Sequence, residues 1–202
     1  MERHGRRAVK FHVGNCDMIP DFATHYYLSG KRPFLSLSDL DGDAEHPIFR
    51  EMLNKHKNDH GYRRRYGMDY LSKRRACEEK LRWLFESRGG RPRRTFPYYL
   101  VLGESDWFFS LNDGHVALRI PLVELPPQTT SITFPDSFLA MTAATKPYFE
   151  KVYLLTEIDE VLRNYEYRNI SPPITYDQYW EGDFELYAEI QIWDDETIRR
   201  HW

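Results

Sequence analysis

The segment ELYAEIQIW, Glu185 to Trp193, alternates strictly along its length. Successive side chains of a strand point to opposite faces, so Leu186, Ala188, Ile190 and Ile192 line one face. Glu185, Tyr187, Glu189, Gln191 and Trp193 line the other. A chain with this segment must give it a sheet and bury its apolar face. The second face, with two carboxylates, an amide and two aromatic rings, belongs either to an ordinary sheet edge or to the wall of a polar cleft.

The rest of the chain supplies the remainder of such a sheet. AVKFHVGN reads as a short strand over Ala8–Val13, closed by Gly14-Asn15. MIPDFATHYYLSG reads as a short helix begun near Pro20-Asp21 and stopped at Gly30, and KRPFLSLSD as a second strand carrying Phe34, Leu35 and Leu37. From Ile48 to about Arg88 the spacing is helical, with Tyr70/Leu71, Cys77, Leu81, Leu84 and Phe85 on one face, and Gly61 and Gly67 separate two helices. GGRPRR follows as a flexible basic loop. FPYYLVLG, WFFSL and HVALRIPL then read as strands, and ELPPQTTSITFPDSF as a loop with a short strand. Lys151–Leu155 is a further strand running into a helix around Ile158–Tyr165, and NISPPITYDQYWEGD is an irregular loop. This order defines an α+β fold in one domain, 1–202, with a basic helical insert at about 48–94.

Charge is divided unevenly. The whole chain carries −3, yet Arg50 to Arg94 holds 15 Lys/Arg against 6 Asp/Glu, and the segment after Phe149 holds 13 Asp/Glu against 5 Lys/Arg. Such a split marks either a surface that faces a polyanion or a helical face whose charges pair with the acidic C-terminal region.

Other chemistries find little purchase. SDLDGD brings Asp39, Asp41 and Asp43 into one loop, but its glycine falls between the second and third carboxylates, which is not the calcium-loop pattern. His56 and His60 lie one helical turn apart with no third ligand in view, and no metal is expected. No Gly-x-Ser-x-Gly turn or phosphate-cradling glycine loop occurs. Cys16 and Cys77 match no zinc or redox spacing. The basic N-terminus lacks an apolar signal core and no run has the length of a membrane span, so a cytoplasmic protein is expected.

Three pieces on separate strands remain. FHVGN offers His12 with Gly14 and Asn15, HYYLSGKRPFLSLS offers Tyr27, Arg32 and Ser36, and the last strand offers Glu189. In this order they resemble the ADP-ribosyltransferase fold family, in its histidine–tyrosine–glutamate branch and among the bacterial toxins that modify nucleic acid. FHVGN stands where the family has a histidine-bearing first strand, RPFLSLS where it has a Ser/Thr-bearing strand, and Glu189 where it has its catalytic carboxylate. SLS departs from the family's usual STS, and Tyr187 stands where the family often has Gln or Glu to choose the acceptor.

The resemblance implies a split β-sheet core and NAD as substrate. Glu189 would be catalytic, His12, Gly14 and Asn15 would hold NAD, Tyr27 would stack on nicotinamide, Arg32 would meet the pyrophosphate, and Ser36 would fix the local geometry. The basic insert adds an acceptor. GYRRRYG, SKRRA and GGRPRR mix arginine with tyrosine, so Arg63, Arg64, Arg65, Arg74, Arg75, Arg93 and Arg94 are expected to bind single-stranded RNA or DNA. The expectation is a mono-ADP-ribosyltransferase, as in a toxin–antitoxin or phage-defence system, with an antitoxin protein as a further possible partner. The alternative is a noncatalytic nucleic-acid- or partner-binding protein, and a metal-dependent nuclease using the Asp39–Asp43 loop stands third.

Overall fold

The structure, a computed structural model, describes residues 19–42, 46–58, 67–165 and 187–201. Six strands form one antiparallel sheet: β1 (Phe22–Leu28), β2 (Tyr98–Leu102), β3 (His115–Pro121), β4 (Thr130–Thr133), β5 (Tyr153–Leu154) and β6 (Glu189–Ile192), in the spatial order β3-β1-β2-β6-β4-β5. The helices are α1 (Pro47–Asn58), α2 (Tyr70–Ser87), α3 (Asp106–Phe109), α4 (Ser137–Thr142), α5 (Ile158–Asn164) and α6 (Asp195–Ile198). The architecture is α+β. No helix among the described residues is long and apolar enough to cross a membrane.

Over its described residues, Tyr187 to Trp193, the alternation in ELYAEIQIW survives, and the strand is not a sheet edge. β6 lies between β2 and β4, with Ile190 opposite Leu100 on one side and Ile132 on the other. Ala188, Ile190 and Ile192 pack into the main core with Leu100, Ile132 and Phe34, and α5 contributes Val161. Fully burying a side chain of this size contributes about 1.5–3 kcal/mol, so this face explains why the strand sits at the centre. The other face is covered as well. α2 and α4 bring Leu81, Phe85 and Met141 against Trp193, which is fully buried.

Three expected elements are overturned. The segment beginning near Pro20-Asp21 is β1, not a helix: Phe22, Thr24, Tyr26 and Tyr27 favour a pleated surface, and β1 pairs along its whole length with β3. KRPFLSLSD forms no strand. Phe34 takes a left-handed φ of 56°, and Leu37–Asp39 closes as a short 3-10 turn. WFFSL is not a strand either, because the Ser105 hydroxyl accepts from Phe108 N and caps α3. The strand expected at Ala8–Val13 lies outside the described residues.

GGRPRR is a stitched loop, not a flexible one. Arg91 N donates to Gln128 O at 2.7 Å, and Arg93 N and Arg94 N both donate to Trp193 O, at 2.8 and 3.0 Å. Gly90 is buried there, and a Cβ at this position would stand 2.6 Å from the Phe85 ring.

Candidate functional site

The polar face of β6 carries a continuous buried hydrogen-bond chain. Trp193 Nε1 donates to Ser131 Oγ at 2.9 Å, and Ser131 Oγ donates to Gln191 Oε1 at 2.8 Å. Gln191 Nε2 then donates to Thr133 Oγ1 at 2.8 Å and to Glu189 Oε1 at 3.2 Å. The antiparallel register makes this possible, since it sets Ser131 opposite Gln191 and Thr133 opposite Glu189.

The chain ends by fixing Glu189. Its Oε1 also accepts from Ser137 N, in the first turn of α4, at 3.0 Å. Among the described residues Oε2 accepts no hydrogen bond, and the side chain lines two adjoining cavities. Only 5% of Glu189 is exposed. Burial pushes its carboxyl above the ordinary value, against the pull of Arg74 and with a further push from Asp136. One oxygen is therefore held by the protein while the carboxylate borders open space.

The larger cavity is a cleft of about 430 Å³. Trp107, Phe108 and Tyr187 form one wall, with Trp107 and Tyr187 stacked at 5.9 Å and Phe108 edge-on to Tyr187 at 5.7 Å. Lys73, Arg74 and Tyr99 contribute to the same cleft. Arg74 Cζ lies over the Tyr99 ring, 4.0 Å from its centroid, and Arg74 Nε donates to Glu78 Oε1 at 2.9 Å. Tyr99 OH donates to the same oxygen at 2.6 Å. Glu78 Oε2 is buried with no hydrogen-bond partner among the described residues. Burial raises the Tyr99 phenol well above its ordinary value; Arg74 opposes the rise, and Glu78 and Glu189 add to it.

Beside the cleft the sheet opens. β1 and β2 pair only at Ala23↔Leu102 and Thr24↔Val101, and beyond that the His25 side chain spans the gap. Phe34 N donates to His25 Nε2 at 2.9 Å, so Nδ1 carries the ring proton and donates to Tyr99 O, also at 2.9 Å. This arrangement needs a neutral ring. Burial lowers the His25 pKa to about 4, with the Tyr99 carbonyl opposing and His115 adding to the fall. A cavity of about 150 Å³ at this opening joins Ser36 to Glu189, and a further one of about 210 Å³ holds Tyr27 and Arg32. The three cavities adjoin, with Tyr99, Phe108 and Glu189 lining both the smallest and the cleft, and His25, Tyr26 and Leu35 lining both the smallest and the third.

Of the residues expected to handle NAD, Tyr27, Arg32, Ser36 and Glu189 thus lie along one run of cavities. His12, Gly14 and Asn15 lie outside the described residues. Ser36 stands on no strand; it precedes the 3-10 turn without capping it. The expected nucleic-acid contacts fare differently. Arg63, Arg64 and Arg65 lie outside the described residues. Arg74 is held in the cleft with 13% of its side chain exposed. Arg75 Nη1 donates to Gly42 O at 2.6 Å, and its other nitrogens reach Leu40 O and Ser38 O. Arg94 pairs with Asp39 and Asp195. Internal partners thus take every guanidinium nitrogen of Arg75 and Arg94 and the Nε of Arg74. Arg93 is exposed, with Glu196 at 3.2 Å and Asp194 at 3.8 Å. The acidic C-terminal segment does pair with part of the basic insert.

Asp39 belongs to Arg94, and Asp43 and the His56/His60 side chains lie outside what the structure describes. No group of three His, Cys, Asp or Glu among the described residues is placed to hold a metal.

Sequence reading missed the Arg74–Glu78 pair as a site. The signal was present: Leu71, Arg74, Glu78, Leu81 and Phe85 follow helical three-and-four spacing, so the two charges fall on the buried stripe of α2. Compared with known proteins, the chain matches no family model, no curated protein and no solved structure.

Proposed function

We propose that the protein is a mono-ADP-ribosyltransferase that takes NAD as substrate and transfers ADP-ribose to a nucleic acid. The observation that carries this reading is Glu189, a carboxylate anchored through Oε1 by Ser137 N and Gln191 while it borders a cleft walled by aromatic rings. The chemistry asks for such a group. The bond between nicotinamide and ribose C1′ breaks, nicotinamide leaves with the electron pair, and C1′ becomes oxocarbenium-like. A fixed carboxylate beside it stabilises the developing positive charge and orients the acceptor, whose nucleophilic atom bonds to C1′ and sheds its proton.

Trp107, Phe108 and Tyr187 line the cleft with aromatic surface against which a nicotinamide ring or an unpaired base would pack. Unpaired bases are what a single-stranded acceptor presents, which keeps RNA and single-stranded DNA as the expected acceptors. With Arg75 and Arg94 committed internally and Arg74 set inside the cleft, contacts to the phosphates of a nucleic acid fall to exposed groups such as Arg93.

The test is transfer of label from adenylate-labelled NAD⁺ to RNA, single-stranded DNA and protein, with wild type and Glu189→Gln in parallel. Gln keeps the oxygen that accepts from Ser137 N, so the fold should persist. Label on a nucleic acid that disappears in the variant supports the reading. A folded wild type that consumes no NAD⁺ and labels nothing overturns it.

A further inference from the structure

We propose that Arg74 is the anion-binding group of the cleft and takes the diphosphate of the dinucleotide, an assignment that rests on the transferase reading above. The expectation from sequence gave that task to Arg32 and sent Arg74 to the nucleic acid.

The argument begins with what Arg74 does not spend on the protein. A guanidinium carries five N–H donors in a rigid plane. Arg74 uses the one on Nε, for Glu78. Among the described residues its two Nη nitrogens donate to nothing, although only 13% of the side chain is exposed. These donors border the cleft, where a ligand can reach them, and paired N–H groups in a plane match an oxyanion that accepts two at once.

The mounting is rigid. Glu78 holds Nε, the Tyr99 ring lies under Cζ at 4.0 Å, and Tyr99 OH braces Glu78 at 2.6 Å. The guanidinium therefore enters the cleft already oriented. Arg74 and Glu189 line the same cleft, yet the ion pair that Arg74 makes is with Glu78. A ligand fitting between them places anionic oxygens at Arg74 and a cationic or electron-poor centre at Glu189. A dinucleotide with a diphosphate on one side and a nicotinamide riboside on the other has that polarity.

Binding of ADP-ribose, nicotinamide and a short single-stranded oligonucleotide would be measured by calorimetry on the wild type, on Arg74→Lys and on the double variant Arg74→Met/Glu78→Gln. The double variant removes both buried charges together and keeps an oxygen for Tyr99 OH, which guards the fold; thermal melting confirms it. ADP-ribose should weaken by about tenfold or more in Arg74→Lys, which keeps the charge but loses the paired planar donors. It should weaken further in the double variant, while nicotinamide is unaffected by either change. ADP-ribose binding both variants as it binds wild type overturns the assignment, as does a wild type that binds no ADP-ribose. Arg74-dependent binding of the oligonucleotide alone also overturns it and returns Arg74 to the acceptor. The two readings fail separately. NAD⁺ turnover with Arg74-independent ADP-ribose binding sinks only the inference, and Arg74-dependent ADP-ribose binding without turnover sinks only the transferase.

Discussion

Arg94 and Arg74 lie over two consecutive tyrosines of β2, on opposite faces of one sheet. Arg94 stands 3.9 Å from the Tyr98 centroid and Arg74 stands 4.0 Å from that of Tyr99. Their side chains are 12% and 13% exposed. In burial and stacking they are equals, and they differ in what their nitrogens do. Arg94 Nε donates to Phe96 O at 3.0 Å, Nη2 pairs with Asp39 at 2.5 Å and Nη1 reaches Asp195, so every nitrogen is engaged. Tyr98 OH closes the cluster on Asp195 at 2.8 Å. Arg74 engages one nitrogen of three. The first arginine ties the 90–94 loop to α6, and the second leaves donors facing a cleft. Position over a tyrosine does not separate the two arginines; the number of engaged nitrogens does.

The largest expected effect lies at the carboxylate that shares the cleft with Arg74. Glu189→Gln should lower the rate of NAD⁺ turnover by about a thousandfold, roughly 4 kcal/mol of barrier, with a melting temperature close to wild type. Unchanged turnover in a folded Glu189→Gln variant would reduce Glu189 to an anchor for α4.

Arg74→Met comes next, measured as stability. The substitution keeps a flexible apolar stem over Tyr99 but strands Glu78, of which only 1% is exposed. Removing one partner of a buried pair costs about 3–5 kcal/mol, to be read from urea unfolding at neutral pH. Adding Glu78→Gln should recover most of that loss. A single variant as stable as wild type would mean that Glu78 finds water on its own.

His25 provides a third, since it holds the strand that bears both tyrosines. Its ring is neutral in the fold with a pKa of about 4, while the unfolded chain protonates near 6.5. The unfolded state therefore binds the proton first as pH falls. The contribution is complete above about pH 6.5 and is lost progressively down to about pH 4, amounting to about 3 kcal/mol. Stability followed across that window should fall more steeply for wild type than for His25→Gln, and parallel curves would show that His25 is not the titrating group.

What could be read in advance follows the range of the forces involved. β2, β3 and β6 announced themselves through short alternating or apolar runs, and α2 through Leu71, Cys77, Leu81 and Phe85, because burial of one face writes a period into the sequence. At β1 two local signals compete: Pro20-Asp21 is a helix start, whereas aromatic and β-branched residues at Phe22, Thr24, Tyr26 and Tyr27 favour the strand that forms. The turn at Phe34 was not legible, since a left-handed residue other than glycine is imposed by its surroundings, here the His25 ring that accepts its N–H. Alternation places Glu185 and Glu189 on the polar face, and the family resemblance singles out Glu189. Its anchoring was not legible, because Ser137 reaches it from 52 residues away and Ser131 reaches its neighbour in the hydrogen-bond chain, Gln191, from 60. The same holds for Arg94, whose partners Asp39 and Asp195 lie 55 and 101 residues off.

The smallest effect is expected at Arg94, despite its larger number of contacts. Asp39 and Asp195 are 40% and 46% exposed, so both carboxylates return to water when the guanidinium is removed. Arg94→Ala should therefore cost only about 1–2 kcal/mol, much of it lost packing on Tyr98. The remaining electrostatic part should shrink at about 1 M salt, where the screening length falls to about 3 Å. Asp195 reports it directly. Against some desolvation, hydrogen bonds from Tyr98 and Arg94 hold its carboxyl below the ordinary value. That stabilisation is present at neutral pH and lost as pH falls through the folded pKa. In Arg94→Ala the Asp195 titration, followed by NMR, should move back up toward the ordinary range. If Arg94→Ala instead cost as much as Arg74→Met, the number of partners would govern stability more than their burial, and the distinction between the two arginines would rest on the cleft alone.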